Sequence, residues 1–307
     1  MKILVTGATG FLGQFLCKKL SKLGNNLIKV SSATNDLMKE DSLDEFNEIK
    51  LDQIFHLAAW TQAGDFPLYH PGEQWLKNQK INTNMLSWWQ KHQPQAKMIA
   101  MGTSCSYDPA LPLVELNYLK GQPIDSLFAY AMTKRMLLAG LISLHKQYKL
   151  NYLYLVPSTL YGKGYHLDGR QMHFIFDLMR KILKGKFFDE EVILWGDGYQ
   201  KRELVYVDDF VDIMLRLVQT ENNTVINVGA GQEYSIRDFA NKICAIVEYD
   251  QEKIYYDTSK YVGVKSKVLN IDRLNEIIPS LKLTDLKKGF ENTINWFLDN
   301  KNKLLNG

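Results

Sequence analysis

The sequence predicts an α/β protein built on a doubly wound parallel sheet, and three observations predict it. First, Ile3, Leu4 and Val5 form a short apolar run that ends in a cluster of glycines and continues into a helical pattern. Second, further short apolar runs recur at 27–30, 53–59, 97–101 and 151–156. Third, helical periodicity separates them over 11–23, 74–92 and 130–148. Strands alternating with helices of ten or more residues call for parallel pairing with helices on both faces.

The opening element is the most specific. Gly7, Gly10 and Gly13 follow the first strand, and the helix through Phe15, Leu16 and Leu20 follows them. Gly7 would make the turn, Gly10 would admit a pyrophosphate to the backbone, and Gly13 would let helix and strand pack closely. The helix N-terminus would offer unpaired N–H groups and a positive dipole end to the phosphates. This predicts a Rossmann-type dinucleotide site for NAD or NADP. The GxxGxxG spacing resembles that of the short-chain dehydrogenase/reductase superfamily.

After Pro157 the pattern loosens. Glycines at 162, 164, 169, 185, 196 and 198 divide it, with helices expected over 172–183 and 206–218 and a strand over 225–228. The expected organisation is a nucleotide domain over 1–157, rejoined by 206–229. A smaller C-terminal substrate domain would comprise 158–205 and 230–307.

The bulk properties exclude several classes. Apolar residues at 46% and charged residues at 23% are ordinary for a globular protein. A net charge of +3 with dispersed Lys and Arg gives no reason to expect a nucleic-acid partner, and pairs such as Arg180–Lys181 read as solvated helix faces. No apolar run approaches the ~18 residues of a membrane span, so no membrane partner is expected. The apolar run before the first glycine is only three residues long, so no signal peptide is expected. Cys17, Cys105 and Cys244 show no metal-ligand spacing, so no metal is expected, and the cytoplasm is the expected compartment.

The chemistry-bearing candidate is Tyr130-Ala-Met-Thr-Lys134, a Tyr-xxx-Lys pair one helical turn apart on one face. A phenol with an ordinary pKa near ~10 needs help to act near neutrality. A neighbouring ammonium and an oxidised nicotinamide would both favour its phenolate. The same spacing recurs at Tyr249/Lys253, Tyr256/Lys260 and Tyr261/Lys265. Only Tyr130 lies in a long helix downstream of Gly102-Thr-Ser-Cys-Ser-Tyr107, which would end a strand where open α/β sheets place ligands. A hydroxyl from Thr103 or Ser104 there would bond a substrate carbonyl or alkoxide.

Landmarks now run along the chain: Thr6-Gly-Ala-Thr-Gly-Phe-Leu-Gly13, His56-Leu-Ala-Ala59, the 102–107 segment, Tyr130-xxx-Lys134, Pro157-Ser-Thr-Leu-Tyr-Gly162, Trp195-Gly-Asp-Gly198, Arg202-Glu203, Val207-Asp-Asp209, Asn227-Val-Gly229 and Trp296-Phe-Leu-Asp-Asn300. Together they resemble the extended short-chain dehydrogenase/reductases of the nucleotide-sugar epimerase/dehydratase type. Within that type they most resemble the GDP-L-fucose synthase (GDP-4-keto-6-deoxymannose epimerase/reductase) family, through Cys105 and through His173 in Met172-His-Phe-Ile.

The resemblance implies a homodimeric, NAD(P)-dependent oxidoreductase acting at C4 of a GDP-linked sugar, with epimerisation at C3 or C5. Its catalytic set would be Thr103, Tyr130 and Lys134, with Cys105 and His173 as the acid/base couple that inverts carbons beside a 4-keto group. Cofactor contacts would come from Gly7, Thr9, Gly10, Phe11, Leu12, Gly13, Ser31, Asp41, Leu57, Ala58, Ala59, Tyr130, Lys134 and Pro157. Substrate contacts would come from Thr103, Ser104, Trp195, Arg202 and Lys267. Alternatives are a simple GDP-sugar (for example heptose) 4-dehydrogenase or 4-reductase, a 4-epimerase, and a catalytically silent NAD(P)-binding regulator.

Two departures bear on specificity. The family commonly has a Val-Gly-Gly-type loop where this chain has Trp60-Thr-Gln-Ala-Gly64, bulkier and more polar. Such a loop would face the hexose and suits a larger sugar or one that keeps its 6-hydroxyl. The end of the second strand carries Ser31 and Ser32 in place of an acidic residue for the NAD ribose or an arginine for a 2′-phosphate. Asp41 or Asp36 would contact adenine, or serve as a helix cap. The apolar content of 74–92 and 130–148, including Trp88, Trp89, Leu137, Leu138, Leu141 and Ile142, is the basis on which the dimer is expected.

Overall fold

The computed structural model describes every residue except 62, 63, 65, 261, 262 and 305–307. Strands β1 (Lys2–Thr6), β2 (Asn26–Val30), β3 (Gln53–His56), β4 (Lys97–Met101), β5 (Tyr152–Pro157) and β9 (Thr224–Val228) form one parallel sheet in the order β2-β1-β3-β4-β5-β9. Ile3 and Val5 point to one face and Leu4 to the other, and all three are buried. A strand covered on both faces must be apolar throughout, which is why these runs do not alternate.

Helices α1 (Phe11–Lys22) and α6 (Val207–Thr220) cover one face, with α8 (Asp272–Ile277) beside them. Helices α3 (Pro71–His92) and α4 (Phe128–Tyr148) cover the other, and a single turn, α2 (Phe66–Tyr69), precedes α3. The chain leaves β1 for β2 on one side and for β3 on the other. The crevice at the carboxyl ends of β1 and β3 is therefore the topological switch point, where such sheets bind ligands.

A second core lies around α5 (Phe174–Phe188), α7 (Ile236–Val247) and α9 (Leu286–Asp299). Its strands are short: β6 (Thr159–Tyr161), β8 (Lys201–Tyr206) and β10 (Glu233–Ser235) make one sheet, and β7 (Val192–Trp195) pairs with β11 (Ile254–Asp257). Helix α7 begins with a capping box in which Ser235 and Asp238 satisfy each other's backbone N–H groups.

Three expectations are corrected. Trp88, Trp89, Leu137, Leu138 and Leu141 are buried in this chain's own core and present no surface. The exposed large apolar residues of the two helices are Trp75, Leu76, Phe128, Met136 and Tyr148. Arg180 and Lys181 are half-buried, not a free solvated face: both pair with Asp177, and Lys181 also donates to the Ile193 carbonyl. Finally, Asp125–Tyr148 is long and apolar enough to cross a membrane by length and composition, with a mean hydropathy of 1.3. In the fold it is a core helix. Its inner face buries Ala131, Leu137 and Leu141 together with Lys134 and Arg135, and Arg135 donates to the carbonyls of Ser106, Lys120 and Gly121.

Candidate active site

At the switch point, β1 runs into Gly7, which has φ +67°. A Cβ there would stand 2.9 Å from the Ala58 backbone nitrogen, so glycine is required by both conformation and space. A Cβ on Gly13 would collide with the Gly7 carbonyl oxygen. Gly10 is the N-cap of α1 and supplies no side chain to the first turn. The first backbone N–H groups of the helix therefore face the crevice free of protein caps. Thr9 and Ser31 line a cleft of ≈ 520 Å³ with Gln14, Lys18, Lys29 and Thr34. These shapes fit a dinucleotide whose pyrophosphate lies on the glycine turn. Asp41 lies exposed in the segment between β2 and β3, and Asp36 caps its own loop by accepting from the Met38 N–H.

Strand β3 ends at His56, so Leu57, Ala58, Ala59 and Trp60 form the opposite lip of the crevice rather than continuing the strand. A buried polar network fixes that lip. The Thr6 hydroxyl lies 3.0 Å from His56 Nδ1 and accepts from the Ala58 N–H, while His56 Nε2 lies 3.1 Å from Asn82 Oδ1. Asn82 in turn donates to the Thr133 carbonyl in α4. The network is satisfied throughout by a neutral imidazole with its proton on Nε2. Burial pushes His56 down to about 4, the Asn82 bond opposing and the Lys134 charge assisting. Asn78 clamps Trp60 at both its N–H and its carbonyl, and the Lys77 ammonium lies 4.0 Å over the indole.

The chemical groups converge beyond β4. Thr103 opens a short turn, Ser104–Ser106, and its hydroxyl accepts the Cys105 N–H at 3.2 Å. Ser104 is buried in that turn, whereas Thr103 and Cys105 are half-buried. Lys267 Nζ lies 3.1 Å from Cys105 Sγ. Burial raises the Cys105 thiol, but the Lys267 charge and hydrogen bond, the Thr103 bond and the Arg202 charge together outweigh it. The thiol ends below its usual value. His173, at the N-cap of α5, is exposed to solvent. Desolvation by the protein around its ring, then the Lys267 and Arg202 charges, push its imidazole down to about 4. Arg202 itself bonds the Lys201 and Val264 carbonyls.

Tyr130 and Lys134 stand on the first two turns of α4, with the ammonium 5.8 Å from the phenol ring. The lysine does not bring the phenol down. Burial, the Cys105 charge and Tyr118 hold Tyr130 above its usual range, and burial holds Lys134 itself down to about 8. The cost of desolvating a phenolate here exceeds the attraction of an ammonium at that distance.

Pro157 ends β5, and Ser158 behind it donates its N–H to the Val228 carbonyl. Trp195, at the end of β7, is 53% exposed. Sequence reasoning missed Asn78, Asn82, Tyr118 and Tyr154, and gave no role to the landmark residue Glu203. The last is a buried carboxylate that accepts the Gly231 and Leu269 N–H groups two residues from Lys267.

A doubly wound sheet with a glycine turn at its switch point and a Tyr-Lys-Thr group at the next strand end defines a nicotinamide-dependent enzyme of the α/β class. The chain belongs to the NAD dependent epimerase/dehydratase family, which it matches over residues 3–229. It is 29% identical to the GDP-L-colitose synthase of Yersinia pseudotuberculosis over 310 residues, spanning 98% of this chain and 99% of that one. Its fold is similar to the crystal structure of a GDP-L-fucose synthetase from Naegleria fowleri bound to NADP, with a TM-score of 0.85, 24% identity, and coverage of 98% and 95%. It is also similar to a GDP-mannoheptose C4 reductase from Campylobacter jejuni with NADP bound, with a TM-score of 0.84, 23% identity, and coverage of 97% and 98%.

Proposed function

We propose that this enzyme reduces the 4-keto group of a GDP-linked sugar, after inverting a ring carbon beside that ketone. The observation that carries the reading is the convergence of Cys105, Lys267, His173 and Arg202 beside Tyr130. A nicotinamide dinucleotide bound with its pyrophosphate at the glycine turn would supply the hydride for C4. Thr103, whose oxygen already accepts the Cys105 N–H, has its proton left to orient the sugar carbonyl. Tyr130 delivers a proton to the C4 oxygen, and its high phenol pKa keeps that proton in place until it is needed.

Epimerisation needs a base on one face and an acid on the other. Cys105, its thiolate favoured by Lys267 and Arg202, is suited to remove a carbon-bound proton. His173 is held neutral first by desolvation and only then by those two cations. A diphosphate bound between Arg202 and Lys267 would offset the second of these causes and so favour a protonated, donating imidazole.

Relatives and structural neighbours whose names carry GDP support guanosine as the nucleotide, and neighbours with NADP support that cofactor. The three free cysteines suit a reducing cytoplasm. The exposed apolar residues of α3 and α4 support a homodimer. The clamped indole of Trp60 favours a second reading, simple C4 reduction of a larger sugar such as a heptose. A catalytically silent regulator has no use for the assembled Thr103, Tyr130 and Lys134.

The test is incubation with GDP-, UDP- and dTDP-linked 4-keto sugars and reduced cofactor in deuterated water. Loss of nicotinamide absorbance with deuterium at C3 or C5 is expected for a GDP-sugar. Turnover without ring deuterium leaves C4 reduction alone.

A further inference from the structure

We propose that Tyr118 and Tyr154 are positioning residues: their two phenols form a one-way hydrogen-bond chain that locks Thr103 to the backbone of Lys134. The inference rests on the roles given above to Thr103 and Lys134.

The Thr103 N–H donates to the Tyr118 oxygen at 3.2 Å. The Tyr118 and Tyr154 oxygens lie 3.1 Å apart. The Tyr154 hydroxyl donates to the Lys134 carbonyl at 2.7 Å. A phenol has one proton. Tyr154 commits its proton to Lys134, so the central bond is donated by Tyr118. The order Thr103 N–H, Tyr118 O–H, Tyr154 O–H, Lys134 C=O is then fixed throughout. Ser106, whose hydroxyl donates to the Ala131 carbonyl, is a further polar neighbour of the Tyr118 oxygen, and the Arg135 charge also acts on it.

The location explains why such a chain is useful. The Gly102 N–H makes the bond to Leu155 beside β5, and the main chain then leaves the sheet edge as Thr103. The Thr103 amide has the Tyr118 oxygen as its partner. At the other end, Lys134 lies in α4, one turn beyond Tyr130. The two phenols tie the segment after β4 to that helical turn. Gly102 makes room for them, because a Cβ there would come within 2.7 Å of both the Tyr118 oxygen and the Tyr154 ring. The rings meet edge to face, and both residues are buried. Burial raises both phenols above their usual range, so the donors persist at any working pH. Breaking one link in so dry a place strands its partners and frees Thr103 to drift relative to Tyr130.

Tyr118→Phe and Tyr154→Phe, alone and together, test this against Tyr152→Phe. Tyr152 is also buried, on the strand that carries Tyr154, and lies outside the chain of bonds described above. Each single link variant is expected to lose about tenfold in kcat, with KM changed less than about twofold, since mispositioning affects the reacting geometry more than binding. The double variant should be little worse than either single, because one break opens the whole chain. Multiplicative losses, unchanged kcat, or an equal loss in Tyr152→Phe would overturn the proposal. Hydrogen exchange at the Thr103 amide provides a readout independent of turnover. It is expected to quicken at least about tenfold in Tyr118→Phe but not in Tyr152→Phe, and equal rates would overturn the chain. If the wild-type protein turns over no nucleotide sugar, the functional reading fails, while exchange still decides the chain.

Discussion

The Lys267 ammonium lies 3.1 Å from the Cys105 sulfur, although 162 residues separate them in the chain. The contact gives the cysteine a cation where burial alone would have kept it a thiol. Removing the ammonium should therefore raise the thiol pKa. Lys267→Met is expected to slow alkylation of Cys105 by iodoacetamide at pH 7 by about tenfold, the change that one pH unit of thiolate population produces. Cys17 and Cys244 are buried with raised thiols and should stay silent in peptide mapping. Saturating GDP should slow Cys105 in the wild type as well, by pairing with Lys267. Equal rates in the wild type and Lys267→Met would remove the ion pair from the account.

The nucleotide half of this site is legible in sequence because its parts are contiguous. Strand, glycine turn and helix occupy the first 22 residues, and each glycine has a reason that can be stated before the fold is known. The second core is much less legible. Strands β6 and β10 have three residues each and find partners elsewhere in the chain, too short for any period to register. Lys267 was reachable only through resemblance. The His56–Asn82 and Tyr118–Tyr154 contacts were not reachable at all, because nothing local marks a tyrosine whose only distinction is what the fold places against it.

Tyr130→Phe should abolish turnover while cofactor binding survives. The phenol is the only proton donor proposed for the C4 oxygen, whereas the glycine turn and Lys134 are the proposed hold on the dinucleotide. A loss of ~10²–10⁴-fold is expected, with the dissociation constant for reduced cofactor, read by nicotinamide fluorescence, changed less than about threefold. Rates within threefold of wild type would take Tyr130 out of the mechanism.

His56 predicts how stability responds to acid. Its imidazole titrates near 6.5 when unfolded and is held down to about 4 in the fold, first by burial. Below 6.5 the unfolded chain takes up a proton that the folded chain refuses. The contribution is therefore complete above 6.5 and is lost as pH falls from 6.5 toward 4, amounting to about 3 kcal/mol at full extent. Urea unfolding between pH 7 and pH 4 should show wild type losing more stability than His56→Gln by roughly that amount. Parallel losses would mean that His56 takes up its proton in the folded state.

Helices α3 and α4 leave Leu76 56% exposed and Met136 47% exposed, with Trp75 and Phe128 nearly as open. Between Phe128 and Met136 the same face of α4 carries the half-buried Met132, so the apolar surface continues for at least two turns. A second copy of this surface is the expected partner, because a two-fold axis matches one patch with itself. Light scattering at micromolar concentration should give twice the chain mass of 35.5 kDa. Leu76→Glu with Met136→Glu places two like charges of each chain in the shared interface and should halve that mass while leaving the circular dichroism spectrum unchanged. The four buried residues Trp88, Trp89, Leu137 and Leu141 cannot mediate this contact, and changing them would unfold the core instead. A wild-type mass of a single chain would end the dimer, and with it the reason for an apolar outer face on these helices.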